Sequence, residues 1–300
     1  MSTVRASTAP ATRVTAERRH TTMPFRVELA RQLSQWRVRI VLIILVVLPI
    51  IVRIALLVGG PPASSSSGGG TGASSSSTTS LIALAQVSGT TFAAFVIELS
   101  AGFLLTIIAA LLFGDMIAGE ASRSTLKYLL TIPVPRLRLL WVKVAVASTL
   151  LLAGLIALAV VAVVVGVISY GTGGIQIPNG PQLSFADSLG RIALATATGA
   201  SGLLWAAGLG TLLTVVANSP LAAAGGVVLV SILSRLLDSI PTLGDIRVVL
   251  PTHYSAAFDQ FFMSPVDLAP VANSVLSGLV WAVVFGAVGA WWFSRKDISG

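Results

Sequence analysis

The sequence predicts an all-α, polytopic membrane protein with six transmembrane helices and both termini in the cytoplasm. Three observations carry that prediction. Of the 300 residues 55% are hydrophobic and only 10% are charged, against about a quarter charged in soluble chains, and the mean hydropathy is +0.91. Six apolar runs approach the roughly 20 helical residues that a hydrocarbon core of about 30 Å requires. The basic residues, finally, gather on one side of those runs. A soluble enzyme with so few surface charges would not stay dispersed, so that class is excluded. The lack of cysteine removes disulfide frameworks, thiolate metal sites and cysteine nucleophiles, and two histidines leave little for metal or acid–base chemistry.

Residues 1–23 are polar, rich in Ser, Thr, Ala and Arg, and lack apolar periodicity, which predicts a disordered cytoplasmic tail. From Pro24 to Arg39 the pattern changes. Phe25, Leu29, Leu33 and Trp36 recur at helical spacing, with Arg26, Arg31, Gln32, Gln35 and Arg37 between them, as expected of an amphipathic helix. It is placed in the inner interface, with Trp36 at headgroup depth and the arginines toward anionic lipid. The alternative is a plain continuation of the first span.

The spans are read as Ile40 to Val58, Phe92 to Phe113, Val144 to Ser169, Ile192 to Val216, Leu221 to Leu237 and Val271 to Phe293. The first starts too late, runs too long and lacks a cleavage site before Arg53, so it is not a signal peptide. Asn218-Ser219-Pro220 breaks the helix between the fourth and fifth and makes a tight re-entry. Residues 59–80 form a low-complexity Gly/Ser linker outside the cell. Residues 238–270, also outside, bring Tyr254, Phe258, Phe261 and Phe262 within a short helical length, predicting a segment that lies on the outer leaflet or caps the bundle.

Orientation follows from the basic residues. Of nineteen Lys and Arg, eight precede Ile40, five lie between the second and third spans (Arg123, Lys127, Arg136, Arg138, Lys143) and two follow the sixth (Arg295, Lys296). The opposite loops hold only Arg191 and Arg247. This is the positive-inside asymmetry of a multi-pass plasma-membrane protein. The net charge of +8 is therefore not a nucleic-acid signature, which would need a folded basic face.

Charges within the spans need partners. Arg53 and Glu98 each fall five or six residues from the outer ends of the first two spans, roughly 8–9 Å deep at about 1.5 Å per residue. They are expected to pair, either as a structural link or as a polar element of a substrate route. Arg235 and Asp238, three apart at the outer end of the fifth span, are read as a snorkelling pair.

Neither GxxxxGK[ST] nor HExxH occurs, so the chain has no phosphate-cradling loop or zinc-protease helix of its own. Gly199-Ala200-Ser201-Gly202 matches a short intramembrane serine protease pattern. The one base available, His253, belongs to an outer loop, so the small residues are read as helix packing instead.

The most informative segment is the cytoplasmic connection from Gly114 to Lys143. Connections between antiparallel helices usually take about two to eight residues, whereas this one runs about thirty by the same reading. Asp115 and Glu120 stand near its start. Ser122, Ser124 and Thr125 can cap helical turns. Leu126, Tyr128, Leu129 and Leu130 give an apolar ridge before Pro133 and Pro135, and Arg136, Arg138 and Lys143 lead into the third span. Apolar anchors ringed by charge suit a docking surface; a helix merely resting on lipid is the alternative.

On these residues the chain resembles the ABC-2 type permeases, the membrane subunits of ATP-binding cassette exporters. In that family a Glu follows the second span, a Gly-Thr-Leu/Arg run and a Leu-Leu pair precede an RPVSR-like turn, and a Lys starts the third span. The matching positions here are Glu120, Ser124-Thr125-Leu126-Lys127, Leu129-Leu130, Pro133-Val134-Pro135-Arg136 and Lys143. The tail Phe293-Ser294-Arg295-Lys296-Asp297-Ile298 is similar to the family's closing motif. Ser124 stands where Gly is common and Pro135 where Ser is common, which alters the turn.

The resemblance implies the type V exporter-like architecture, with the amphipathic helix as connecting helix. It implies no catalytic residue, metal or cofactor in this chain, because ATP is bound by a separate cytoplasmic ABC ATPase subunit. It also implies a second permease subunit, identical or related, and coupling to the ATPase through Asp115, Glu120, Arg123, Thr125, Leu126, Tyr128, Leu129, Pro133, Arg136 and Lys143. Two other readings stand beside it. A self-sufficient carrier or channel would place ionisable residues near the bilayer midplane and leave the long connection unexplained. A scaffold would use the same fold to gate an external partner without transport.

Overall fold

The computed structural model describes residues 25–59, 84–122, 136–177, 181–217 and 219–295. The predicted tail, the Gly/Ser linker from 60 to 80 and the middle of the long connection lie outside the described residues. Within them all regular elements are helical: α1 (Phe25–Ser34), α2 (Trp36–Val58), α3 (Gly89–Gly102), α4 (Leu104–Ser122), α5 (Arg136–Tyr170), α6 (Phe185–Gly202), α7 (Leu204–Val216), α8 (Pro220–Asp238) and α9 (Leu268–Arg295), with 3-10 turns over Pro241–Val249 and Ala257–Phe262. Five of these helices or continuous helix pairs are long and apolar enough to cross a membrane, and six if the bent α3–α4 pair counts as one span.

The amphipathic entry is a separate helix, not a continuation of the first span. The chain leaves helical geometry at Gln35 (φ −73°, ψ 128°), and Arg39 Nε donates to the Leu33 carbonyl at 2.7 Å across the break. Its apolar face looks outward, with Phe25, Leu33 and Trp36 exposed, whereas Glu28 and Gln32 are buried against the bundle. That division suits a helix with lipid on one side and protein on the other.

Two predicted spans are broken. α3 and α4 meet at Phe103 with a bend of 55°, and α6 passes to α7 at Leu203, whose N–H reaches Ala200 O and Ser201 O. Both breaks follow a glycine, Gly102 and Gly202, which lowers the cost of leaving the helix. They face one another across a cavity of about 20 Å³ lined by Ala101, Leu105, Thr106, Gly199, Leu203 and Arg235, room for about one water. The fourth-to-fifth turn is as tight as expected: the Ser219 hydroxyl accepts from Ala222 N at 3.2 Å and Pro220 opens α8, the usual N-terminal arrangement.

In a bilayer, helices associate through close van der Waals packing and not by hiding apolar surface from water. Glycines supply that closeness. A Cβ at Gly89 would meet Val167 N at 2.5 Å, one at Gly208 would meet Ala282 Cα at 2.7 Å, and one at Gly278 would meet Ser201 O at 2.5 Å. α3 thus lies on α5, while α6 and α7 lie on α9. The 199–202 stretch does pack closely, but Gly278 makes the approach, while Gly199 faces open space. The Ser201 hydroxyl donates to Thr198 O at 2.7 Å and His253 Nδ1 lies 2.6 Å from Asp238, so no serine–histidine pair forms.

The 238–270 segment caps the end of the bundle opposite α1. Ala257, Phe258 and Phe261 are buried, and Arg191 on α6 donates to Phe261 O at 3.2 Å and Met263 O at 2.9 Å. The expected snorkelling pair is not made. Asp238 instead lies 2.6 Å from His253 Nδ1 and accepts from Arg247 at 3.4 Å, since the cap folds back over the end of α8 and brings both side chains closer than Arg235.

Candidate functional site

Among the described residues, Lys143 is the one buried basic side chain, 1% exposed. An ammonium at that burial needs compensation. Its Nζ donates to Glu28 Oε1 at 2.8 Å and to Glu120 Oε1 at 2.7 Å, and those carboxylates are 2% and 6% exposed as residues. Arg31 completes the cluster, pairing with Glu120 and lying 3.7 Å from Glu28. Three elements are joined: α1 through Glu28 and Arg31, the end of α4 through Glu120, and the start of α5 through Lys143. We refer to this cluster as the latch.

Helical periodicity explains why these residues meet. Glu28 and Gln32 are one turn apart on α1, and Gln32 Nε2 donates to Glu28 Oε1 at 3.4 Å. Asp115 lies five residues before Glu120 on α4 and pairs with Arg37 at 3.2 Å. Burial alone would push the Glu28 carboxyl up. The Lys143 ammonium, which also hydrogen-bonds it, and Arg31 together outweigh burial and hold it below the usual carboxylate range.

The latch also corrects the reading of 114–143 as one long connection. α4 stays helical to Ser122 and α5 begins at Arg136, so Asp115, Glu120 and Lys143 sit on helices. Arg123, Thr125, Leu126, Tyr128, Leu129 and Pro133 lie outside the described residues, and Arg136 is placed by its backbone alone. Arg31 and Arg37, expected to face lipid, reach acids on α4 instead, Arg31 pairing with Glu120 and the largely exposed Arg37 with Asp115. Glu28 escaped the sequence reading. An acid one turn before Gln32 on a helix otherwise basic was the available signal.

Thr214 on α7 braces the α4 end of the latch. Its hydroxyl donates to Gly114 O at 2.9 Å and accepts from Ile117 N at 3.1 Å and Ala118 N at 3.0 Å. Gly114 also lets α8 approach: a Cβ there would meet Ala224 N at 2.8 Å. Thr214→Val keeps the shape and removes all three bonds. It is expected to cost about 1–3 kcal/mol, read as a lower thermal midpoint than that of Thr196→Val, whose hydroxyl bonds only its own helix.

Beside the latch, a groove of about 400 Å³ opens between α2, α4 and α8, the first, second and fifth spans. Val41, Leu112, Met116 and Leu221 line its apolar length, and Gln32, Arg37 and Asp115 its polar mouth.

The intramembrane pair expected of Arg53 and Glu98 is not formed. Arg53 lies over the Tyr170 ring, 4.7 Å from its centroid, a cation–π contact. α2 packs mainly on α5, which carries Tyr170, so Arg53 finds an aromatic face before it finds Glu98.

A bundle of apolar helices, two of them broken, with an amphipathic entry helix latched by buried charge to the second and third spans, defines a multi-pass membrane protein of the transporter class. The model of the ABC-2 family transporter proteins matches residues 28–298, and the chain belongs to that family. It is accordingly the membrane domain of an ABC transporter, a class that works with an ABC ATPase in a membrane. A search of curated proteins finds no match.

Proposed function

We propose that the chain is the permease subunit of an ABC exporter, itself non-enzymatic and without cofactor, which couples ATP hydrolysis on a separate cytoplasmic ATPase to substrate movement across the plasma membrane. The observation that carries this reading is the latch. It ties the entry helix to both flanks of the 123–135 connection, so a push on that connection reaches the first three spans together. Rigid-body transmission of this kind requires contacts that differ between the open and closed ATPase, and the connection offers Leu126, Tyr128 and Leu129 for them. The groove between the first, second and fifth spans opens beside the latch, where such a motion would widen or close it. The basic asymmetry supports cytoplasmic termini, and the exposed Leu229, Leu233 and Leu236 on α8 leave room for a second subunit.

The test is reconstitution with its cognate ABC ATPase. Arg123→Glu and Leu126→Asp should leave the thermal midpoint at its wild-type value, while abolishing stimulation of ATP hydrolysis and transport into vesicles. Normal stimulation by both variants would remove the coupling role.

A further inference from the structure

The groove between α2, α4 and α8 has a floor, a rim and a charged mouth, and the three together select a ligand. Val41 and Met116 on its floor are buried, whereas Ile40, Ile44, Leu111 and Leu221 along its rim are exposed. On membrane-crossing helices an exposed apolar rim opens sideways into hydrocarbon. From Arg37 at the mouth to Ile44, the lining on α2 runs seven residues, about 10 Å at about 1.5 Å per residue, inside the half-thickness of about 15 Å of a bilayer core. The groove is therefore one leaflet deep. Its mouth lies just past the helix break at Gln35, where the chain passes from the interface into the core. A volume of about 400 Å³ falls within the range of about 300–1,000 Å³ for small-ligand pockets.

Among the described residues, the charged side chains that line the groove are Arg37 and Lys143 against Asp115 and Glu120, so the lining carries no net charge. Lys143 and Glu120 are held in the latch at 2.7 Å. Arg37 and Asp115 pair with each other at 3.2 Å, the first largely exposed and the second mostly covered. A singly charged head engages one member of this pair only by stripping it from the other. A zwitterionic head satisfies both: its anion takes the Arg37 guanidinium and its cation the Asp115 carboxylate, so no charge is left unpaired at the edge of the hydrocarbon. The polar residues 1–23 contain no apolar run that could fill the floor instead.

We propose that the groove binds a lipid-like amphiphile, with its alkyl chain laid along the floor and its zwitterionic head opening the Arg37–Asp115 pair. The site follows from the groove itself, and it rests on the permease reading only in making such an amphiphile the cargo. Binding is measured without the ATPase, so either reading can fail alone.

Equilibrium binding of radiolabelled dodecylphosphocholine to the full chain in dodecyl maltoside tests this. The host detergent carries the same chain on a neutral head, so any preference belongs to the charges. Unlabelled dodecylphosphocholine should displace the probe on the order of tenfold more tightly than dodecyltrimethylammonium or dodecyl sulfonate, the size that two partly exposed ion contacts allow. Asp115→Asn should make the sulfonate the tightest of the three, and Arg37→Gln should do the same for the trimethylammonium. A purely structural role for the pair would lower all three alike. Ile44→Trp, at an exposed rim position, should block the groove and weaken every head equally. Equal displacement by all three heads in the wild type, an unchanged order in Asp115→Asn and Arg37→Gln, or full binding in Ile44→Trp would each overturn the proposal. Binding confined to the monomer fraction on size exclusion would give the groove to a second copy and overturn it too.

Discussion

Lys143→Met is expected to destabilise the protein by about 3–5 kcal/mol, the range for removing one partner of a buried ion pair, read as a fall in thermal midpoint in detergent or nanodiscs. Methionine fills much of the volume, so the loss is electrostatic. Glu28 and Glu120 would be left buried and facing each other across the vacated position. Arg31 still reaches both, which holds the effect toward the lower end of that range. Lys143→Met combined with Glu28→Gln should recover most of the loss, since the second change removes the negative charge left without its main partner. A double variant no more stable than Lys143→Met would mean that Lys143 acts through packing alone. If the latch transmits the ATPase's motion, the rescued double variant should fold yet remain poorly stimulated, which separates the structural role from the coupling role.

Gly166→Val should be comparably damaging for a different reason. A Cβ at Gly166 falls onto the Gly89 carbonyl, and one at Gly89 would meet backbone of the 166–167 turn. These are backbone atoms on both sides, so no side chain can rotate away and α3 must separate from α5. Overpacking ordinarily costs about 1–3 kcal/mol; here the upper end is expected. Separation would also break the neighbouring bonds from the Ser88 hydroxyl to Gly174 O at 2.9 Å and from the Thr90 hydroxyl to Gly173 O at 2.8 Å. The comparison is Gly190→Ala, where nothing lies within 4 Å of the added carbon and helix propensity predicts a gain of up to about 1 kcal/mol. Equal midpoints for the two variants would refute the close crossing.

Much of this fold was legible in the sequence because a bilayer imposes a one-dimensional rule. Each spanning run must be about 20 apolar residues long, and that rule located the helices from Ile40 to Phe293. The amphipathic entry was legible because Phe25, Leu29, Leu33 and Trp36 repeat at helical spacing. The breaks at Phe103 and Leu203 were not. Hydropathy is blind to an interruption inside an apolar run, whether it bends the helix, as at Phe103, or not, and a single glycine within a span announces nothing. The flanks of the 114–143 stretch were misread as loop for a related reason: Asp115, Glu120 and Lys143 lower the local hydropathy, yet all three are helical, Glu120 and Lys143 being buried as an ion pair and Asp115 held by Arg37.

The charged residues mark the division most sharply. Lys143 and Glu120 were singled out from sequence, but their partners Glu28 and Arg31 come from a helix more than a hundred residues away from Lys143. Arg53 was paired with Glu98 by equal depth, whereas the tertiary structure gave it the Tyr170 ring. Depth in a membrane is a property of position along one helix, and sequence supplies it. Which helices are neighbours depends on glycine crossings such as Gly89 with Gly166 and Gly208 with Ala282, contacts between residues remote in the chain. The sequence by itself therefore determined the solvent, the approximate spans and the family resemblance, each a local or summed property. Only the tertiary structure decided which charges meet, because a buried charge is satisfied by whatever lies within about 3 Å of it, and that distance is set by helix packing.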